Sequence, residues 1–186
     1  MTHDPQPYAP FDGWRPGVIG EIVSLQARYY ARHWGFGPHF EAKIASEAAL
    51  FLRRYDPRVD LLTSFGDAEH VVGSVTIDGS DPHRPDDLAH LRWFILDDAA
   101  RGHGIGRRLM GRALEFARGT GRAGVYLWTF AGLHAARHLY DVAGFSLVEE
   151  LPGDTWGTRV TEQRFELRFE TSSVPSRALP DPGVPR

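Results

Sequence analysis

Hydrophobic residues recur along the chain with two different periods, and these periods outline its secondary structure. In one early segment Phe40, Ile44, Ala48 and Phe51 are three or four residues apart, which is the spacing of one buried helix face. Other segments show the same period, so the pattern predicts four helices. They span residues 18–34, 38–54, 104–118 and 132–143.

Short runs rich in β-branched and aromatic residues lie between the helices and predict strands. The predicted strands are Asp60–Phe65, His70–Ile77, Leu88–Leu96, Val125–Thr129, Phe145–Glu150 and Arg164–Phe169. Gly66 and Asp67 indicate a hairpin between the first two, and Asp78–Asp87 is rich in residues that break regular structure, which predicts a loop. Two helices, a meander and then alternating elements predict a single α/β (α+β) domain.

The two ends of the chain differ in composition from the region between them. Residues 1–10 contain three prolines, and residues 171–186 combine serine, proline and glycine with few apolar residues. Such segments bury too little apolar surface to hold one conformation. We therefore predict a flexible N-terminal tail over 1–10, one domain over 11–170 and a disordered C-terminal tail over 171–186.

Composition and charge exclude several classes of function. The 186-residue chain has no cysteine, which rules out a disulfide framework, a thiolate zinc site and a cysteine nucleophile. Its net charge of -3 lacks the basic excess of nucleic-acid-binding domains. No stretch approaches the roughly 20 apolar residues of a membrane helix, and the N-terminus has no apolar signal-peptide core. We expect a cytoplasmic protein with no nucleic-acid or membrane partner.

The segment Arg101–Gly106 (RGHGIG) joins a predicted strand to a predicted helix and carries the strongest chemical signal. Glycines remove the Cβ atoms that keep an anion away from the backbone, so successive N–H groups can converge on a phosphate oxygen at the positive end of the helix dipole. Arg101 adds positive charge, and Arg107 and Arg108 follow in the first helical turn. The segment therefore predicts a polyphosphate site.

Two other glycine-rich phosphate motifs do not match this segment. The dinucleotide pattern G-x-G-x-x-G requires glycine at position 107, where the chain has arginine. The Walker pattern requires a Gly-Lys-Ser/Thr sequence, which does not follow. A tight turn without a ligand would explain one or two glycines, but three alternating glycines after an arginine favour an anion site.

Two histidines have the spacing of metal ligands without the rest of a metal site. His134 and His138 lie four residues apart on a predicted helix. No third ligand is defined, and Arg137 and Asp141 share their side of the helix, which is typical of a solvated face. We predict no metal cofactor.

Two motifs at a fixed separation resemble the GNAT family of N-acetyltransferases. Arg101–Gly106 matches the Arg/Gln-x-x-Gly-x-Gly/Ala signature of that family, and Ala136–Phe145 (ARHLYDVAGF) matches its A-x-x-L-Y-x-x-x-G-F element. The chain between them has room for one helix and one strand. The resemblance covers about residues 15–169, which is nearly the whole predicted domain.

Four shorter motifs carry a closer resemblance, to acetyltransferase domains fused to winged-helix regulators of the multiple-antibiotic-resistance type. They are Arg15-Pro16-Gly17, Tyr30-x-x-x-x-Gly35-Phe36, Phe40-Glu41-Ala42 and Leu127-Trp128-Thr129. The 186 residues contain no winged-helix segment, so we expect the acetyltransferase domain to stand alone. A DNA-binding role therefore does not carry over.

The resemblance implies a fold and a co-substrate. The fold is the GNAT fold, a central mixed, largely antiparallel twisted sheet flanked by about four helices, and the co-substrate is acetyl-CoA. In this family the strand before the turn binds the pantetheine arm through its backbone, and the turn binds the pyrophosphate. The implied cofactor-binding residues are Phe94, Ile95, Leu96, Arg101, Gly102, His103, Gly104, Ile105, Gly106 and Arg107.

The resemblance also implies a general acid and leaves the general base open. Tyr140 occupies the position of the tyrosine that protonates the departing thiolate in this family, so it is the implied general acid. Many members carry a CoA-binding asparagine seven residues earlier, where this chain has Leu133. The base is either Glu47, at the edge of an apolar helix stripe, or His90, on the same strand face as Phe94.

The function that these features predict is acetyl transfer from acetyl-CoA to a primary amine of a small molecule, by direct attack in a ternary complex. An amine with a pKa near 10 is mostly protonated at neutral pH, so a base is required. Two alternatives remain open: a non-catalytic acyl-CoA-binding sensor, and an N-acetyltransferase acting on proteins or peptides. We expect a monomer or a homodimer.

Overall fold

A seven-stranded sheet with helices on both faces organises residues 8–67, 70–85 and 87–170, which are the residues described by the computed structural model of the protein. The strands are β1 (Ala9–Asp12), β2 (Leu61–Gly66), β3 (Val71–Asp78), β4 (Leu88–Leu96), β5 (Gly124–Phe130), β6 (Ser146–Gly153) and β7 (Val160–Arg168). The α-helices are α1 (Val18–Trp34), α2 (Pro38–Arg54), α3 (Ile105–Gly119) and α4 (His134–Ala143). A short 3-10 helix, Asp98–Ala100, precedes α3.

The strand order is β1-β2-β3-β4-β5-β7-β6, and among the pairs in the described residues β4 and β5 are parallel while the other neighbours are antiparallel. Helices α1 and α2 cover one face and share a core with residues such as Leu62 and Phe130. Helices α3 and α4 cover the other face, over a core that contains Val75 and Phe165. The predicted mixed, largely antiparallel sheet with four flanking helices is confirmed.

Strands β4 and β5 separate along their length, and this separation positions the site. They pair over Leu88–His90 and Gly124–Tyr126. Beyond His90 the edge of β4 that faces β5 has no strand partner in the described residues. Because β4 and β5 pair only over their first residues, the carboxyl-terminal parts of the two strands diverge and leave a cleft in the sheet.

A β-bulge lies in β4 at the level of this cleft. Ser74 pairs with Ile95 and Thr76 with Arg92, so two residues of β4 lie opposite one residue of β3. Trp93, within the bulge, has a φ of 50°, a region that bulky residues rarely adopt. The Ser74 hydroxyl donates a hydrogen bond to the Trp93 carbonyl at 3.1 Å, which helps to hold this strained backbone.

The structure corrects the predicted ends of the domain. Ala9 and Pro10 pair with Gly66 and Phe65, so they belong to β1 and not to a tail. Proline is tolerated there because β1 is an edge strand with one unpaired side. Strand β7 also begins four residues before the predicted Arg164. The remaining parts of the predicted tails, residues 1–7 and 171–186, lie outside the described residues.

No helix in the described part of the chain combines the length and the apolar character that crossing a membrane requires.

Candidate active site

The glycines of the turn before α3 have two different structural roles. Gly102 and Gly104 have φ angles of 82° and 72°, in the left-handed region that glycine adopts without strain. A Cβ at Gly102 would meet nothing within 4 Å, and one at Gly104 would lie 3.9 Å from Nη2 of Arg107. A Cβ at Gly106, in contrast, would lie 3.1 Å from Leu139, so this glycine permits close packing of α3 on α4. The first two glycines leave an open backbone face at the start of α3.

Hydrogen bonds and ion pairs connect the turn to the residues that precede it and to the C-terminal end of α1. The Asp97 carboxylate accepts a hydrogen bond from the backbone N–H of Ala99 at 2.9 Å. Arg101 donates to the Tyr29 hydroxyl at 2.9 Å and lies 3.0 Å from Oδ1 of Asp98. Because Asp98 also contacts His33, at 2.8 Å, the turn and the C-terminal end of α1 are fixed relative to each other.

A cavity of about 400 Å³, called here the donor cavity, extends from this turn along the free edge of β4. Its lining includes five of the predicted cofactor-binding residues, Phe94, Ile95, Leu96, Arg101 and Gly106.

The other five predicted cofactor-binding residues do not line the donor cavity. Gly102 and His103 lie exposed on the turn beside it, where Gly104 is half-buried, and Arg107 lies exposed in the first turn of α3. Ile105 is fully buried in the core shared with α3, so its side chain is not available to a ligand. Only its backbone can serve the predicted site.

A second cavity of about 360 Å³, called here the acceptor cavity, lies between α1, α2, β4 and β5. The two cavities share three lining residues, Tyr30, Phe94 and Tyr140. We call these three residues the junction. The two cavities therefore adjoin each other at these side chains.

The junction contains a buried tyrosine, Tyr140, and a half-buried one, Tyr30, and both have raised pKa values. Tyr140 is 5% exposed, and burial raises its pKa, an effect that a hydrogen bond with Thr129 only partly offsets. Burial also raises the pKa of Tyr30, and the nearby Tyr140 raises it further. Both phenols therefore stay protonated at neutral pH. The motif match gave Tyr140 a catalytic role, whereas Tyr30 was named only as part of a short motif and was given no role.

His90 lies on the wall of the acceptor cavity in a network with Asp81 and Tyr126. Its Nδ1 is 2.6 Å from Oδ2 of Asp81, and the same carboxylate oxygen accepts a hydrogen bond from the Tyr126 hydroxyl at 2.9 Å. The Tyr126 ring stacks on the imidazole with centroids 4.2 Å apart. Asp81 is nine residues away in the predicted loop 78–87, and no sequence pattern indicated this contact.

Burial sets the protonation states in this network. Burial lowers the pKa of His90, although the hydrogen bond to Asp81 acts in the opposite direction. For Asp81, burial alone would raise the pKa, but hydrogen bonds from His90 and from the backbone of His83 outweigh it and hold the pKa below its usual range. The expected state at neutral pH is a neutral imidazole beside a carboxylate.

Glu47, the other predicted base candidate, also lines the acceptor cavity but is engaged by two cations. One carboxylate oxygen forms an ion pair with Lys43, and the other lies 2.6 Å from Arg92. Arg92 in turn lies 3.3 Å from the fully buried Asp78. Glu47, His90 and Arg92 also border an outer cavity of about 630 Å³, which continues away from the junction.

The loop between β6 and β7 covers the acceptor cavity and was missed by sequence reasoning. Thr155 and Trp156 line the cavity, and the Trp156 ring lies 5.5 Å from that of Phe130. A Cβ at Gly157 would lie 2.7 Å from His39, so the loop packs against the first turn of α2. The sequence signal for this loop was Trp156, a large aromatic residue that lies between Gly153 and Gly157.

Two features named from the sequence have clear positions in the structure. Leu133 is the residue before α4 and lines the donor cavity, where many relatives would carry asparagine. His134 lines the same cavity. Within the residues that the structure describes, no group of three or more potential metal ligands comes together.

Comparisons with known proteins agree with this architecture. The sequence profile of the acetyltransferase (GNAT) family matches residues 21–145, which is more than half of the chain. Among curated proteins, no sequence matches the chain.

Solved structures share the fold at low sequence identity. The Salmonella typhimurium protein yncA, assigned as an acetyltransferase and solved with its cofactor acetyl-CoA, is 16% identical with a TM-score of 0.67 over 95% of this chain and 99% of that chain. The ribosomal-protein-alanine N-acetyltransferase of Brucella melitensis is 16% identical with a TM-score of 0.68, over 87% and 99%. A GNAT-family acetyltransferase from Staphylococcus aureus Mu50 is 13% identical with a TM-score of 0.68, over 88% and 99%.

The residues of the donor side fit acetyl-CoA. The open backbone face at Gly102 and Gly104 suits a pyrophosphate, and the unpaired edge of β4 suits the amide groups of a pantetheine arm. With this geometry and the family match over residues 21–145, the chain belongs to the GNAT acetyltransferase family, whose cofactor is acetyl-CoA.

Proposed function

We propose that the chain transfers an acetyl group from acetyl-CoA to a primary amine of a small molecule. The observation that carries this proposal is the meeting of the donor and acceptor cavities at Tyr30, Phe94 and Tyr140. Two reactants held in cavities that adjoin at these residues can approach each other for direct attack in a ternary complex. A single cavity would instead suit a binding module.

On the donor side, the proposal assigns the pyrophosphate to the backbone of Gly102–Gly106 with support from Arg101 and Arg107. The pantetheine arm lies along Phe94–Leu96, whose edge is free to accept an added strand-like partner. Leu133 gives the arm an apolar contact and no hydrogen bond. Apart from Leu133, which stands where many members of the family carry asparagine, these are the residues that the motif match implied.

On the acceptor side, His90 is the proposed general base. The Asp81 carboxylate accepts a hydrogen bond from Nδ1–H of His90. The other nitrogen of the neutral ring, Nε2, therefore carries a free lone pair. The lowered pKa keeps the ring neutral at physiological pH, so it can take a proton from the amine, directly or through water. Glu47 is the weaker candidate because Lys43 and Arg92 already engage both of its oxygens.

Tyr140 is the proposed general acid. It lies at the junction, and its raised pKa keeps the hydroxyl protonated until a strong base appears beside it. As the thioester bond breaks, the phenol donates a hydrogen bond to the sulfur, and its proton passes to the sulfur to give the neutral thiol. From the neutral amine, the nitrogen gains the acetyl group and loses one proton to His90 while the sulfur gains one from Tyr140, and return of a proton from His90 to Tyr140 through solvent restores both residues. A substrate that arrives as an ammonium ion releases one further proton to solvent.

The size and covering of the acceptor cavity favour a small molecule. Its volume of about 360 Å³ matches a compact ligand, and Trp156 closes it from the β6–β7 side. A protein substrate would have to insert its terminus past this loop. The Brucella melitensis neighbour acts on a ribosomal protein, so the shared fold alone does not choose between the two acceptor classes.

The experiment is a thiol-release assay with acetyl-CoA over a panel of amines and peptides. The panel contains 2-phenylethylamine, phenylalaninol, phenylalaninamide, phenylalanine, spermidine and short peptides with free N-termini. Turnover of small amines supports the proposal, and turnover of peptides alone identifies a protein acetyltransferase. Binding of CoA in calorimetry without turnover of any panel member identifies a sensor.

Three further expectations remain predictions for this chain. The closer likeness to acetyltransferase domains of winged-helix fusions rests on the short motifs around Arg15, Phe36 and Leu127. A cytoplasmic location is expected from the composition. Light scattering on the purified chain will distinguish a monomer from a homodimer.

A further inference from the structure

A buried amide group lies on the wall of the acceptor cavity, one helical turn from the junction. Gln26 precedes Tyr30 by four residues in α1, and both line the cavity. The Gln26 side chain is 4% exposed. Its amide nitrogen Nε2 has no hydrogen-bond partner among the residues that the structure describes.

This arrangement is unusual for a buried polar group. Buried amide donors in proteins almost always have a partner, because an unpaired donor loses its hydrogen bonds to water and gains nothing in return. The other buried residues of α1 are Val18, Ile22, Val23 and Leu25. An apolar residue at position 26 would therefore suit the core, and no hydrogen bond of the amide nitrogen within the described residues explains the glutamine.

We propose that Gln26 is a specificity-determining residue, whose amide donates a hydrogen bond to an oxygen atom of the amine substrate. This inference rests on the proposed function and narrows its acceptor class to amines that carry a hydrogen-bond-accepting oxygen. Side chains four residues apart on a helix are about 6 Å apart at Cβ. The oxygen therefore lies a few bonds from the nitrogen that reacts beside Tyr30.

The charged side chains of the cavity are less suited to this task because they already have partners. Lys43 and Arg92 pair with Glu47. Glu162 accepts hydrogen bonds from the backbone N–H and the hydroxyl of Thr155, at 2.8 and 3.0 Å. Carbonyl, hydroxyl and carboxylate oxygens can each accept a hydrogen bond from an amide N–H, and the experiment distinguishes these three kinds of oxygen.

The test compares four amines that share one skeleton. 2-Phenylethylamine carries no oxygen, and phenylalaninol, phenylalaninamide and phenylalanine add a hydroxyl, a carbonyl and a carboxylate at the same carbon. The kcat/KM values are measured for the unaltered protein and for Gln26→Met, which keeps the length of the side chain and removes its donors. Gln163→Met is the control, because Gln163 is a buried glutamine outside the acceptor cavity.

We expect the unaltered protein to prefer at least one oxygen-bearing amine over 2-phenylethylamine by about tenfold, the size of one hydrogen bond. Gln26→Met removes this preference, because it lowers kcat/KM for the preferred oxygen-bearing amine about tenfold more than for 2-phenylethylamine, while Gln163→Met keeps it. The preferred amine identifies the class of oxygen.

Three results would overturn the inference. They are a preference for 2-phenylethylamine in the unaltered protein, an unchanged preference in Gln26→Met, and a melting temperature of Gln26→Met well below that of the unaltered protein, which would show a structural role. Absence of turnover with every small amine of the panel would instead contradict the proposed function itself, so the two failures are distinguishable.

Discussion

Nδ1 of His90 lies 2.6 Å from Oδ2 of Asp81, and this contact determines which ring nitrogen carries the proton. Because the pKa of Asp81 is held below its usual range, its carboxylate is ionised at neutral pH and can only accept. The proton of the neutral imidazole therefore lies on Nδ1, and Nε2 remains the basic atom. A carboxylate that orients a histidine in this way is a recurring arrangement for general bases.

The first prediction concerns the pH dependence of turnover. The lowered pKa of His90 means that kcat stays constant as the pH falls to about 6.5, the usual histidine value, and declines only below it. In Asp81→Asn the carboxylate that raises the histidine pKa is lost, so the acid limb moves to still lower pH. Turnover at neutral pH falls by at least about tenfold, because an asparagine no longer enforces the Nδ1 proton. An acid limb that is centred above pH 7, or that does not move in Asp81→Asn, would contradict the role of His90.

The same network predicts a pH dependence of folding stability. Since the pKa of His90 is lower in the folded than in the unfolded chain, the unfolded chain binds more protons between the two values. The free energy of unfolding therefore decreases as the pH falls below about 6.5. Urea unfolding at pH 7.5 and pH 5.5 measures this loss, and His90→Gln should reduce it. An equal loss in the variant would show that other groups cause it.

A third prediction separates the two base candidates. His90→Gln is expected to lower kcat by about 100-fold or more, because proton removal by a positioned base contributes on that scale. Glu47→Gln keeps the shape of the side chain and alters its ion pairs with Lys43 and Arg92, so it should mainly change KM for the amine. Both variants should bind CoA as the unaltered protein does in calorimetry. The reverse ranking of the two kcat effects would make Glu47 the base.

The sheet, the helices and the donor turn could be predicted because they depend on local patterns. The glycines at 102, 104 and 106 and the apolar period of α3 are readable within a few residues of sequence. The edge strand β1 was missed because Pro10 is typical of a tail, and only the pairing of β1 with β2 shows that the proline is tolerated.

The acceptor side depends on contacts between distant segments, and these have no local signature. Asp81 reaches His90 because the loop after β3 folds back, and Trp156 reaches Phe130 across the sheet. Gln26 appears in the sequence as one polar position on a helix, and its burial follows from the packing of α1 on the sheet. The turn and the strand of the proposed donor side were therefore readable from the sequence, and most contacts of the proposed acceptor side were not.

The fourth prediction concerns the general acid. Tyr140→Phe removes the only donor group of this side chain at the junction and should lower kcat by about 100-fold. The affinity for CoA should change little, because the ring and its packing remain. Tyr55→Phe is the matched control, since Tyr55 is a partly buried tyrosine that packs on Phe51 and lines neither cavity. If Tyr140→Phe turns over like this control, Tyr30 becomes the remaining phenol that can protonate the sulfur.

The last prediction tests whether the backbone of the turn binds the pyrophosphate. Gly104 and Gly121 have nearly the same backbone angle, with φ of 72° and 75°, but Gly121 follows α3 and lies away from both cavities. Alanine in this left-handed region is strained, so each Gly→Ala variant should lose about 1–2 kcal/mol of folding stability in urea unfolding. Neither new methyl group meets a protein atom closer than 3.9 Å, so any difference between the two variants reflects what binds there.

Titration calorimetry should show a CoA dissociation constant at least about tenfold higher for Gly104→Ala and unchanged for Gly121→Ala, since only the first methyl group stands between the turn and the phosphates. Equal CoA affinities in the two variants would mean that the pyrophosphate does not approach the backbone at Gly104.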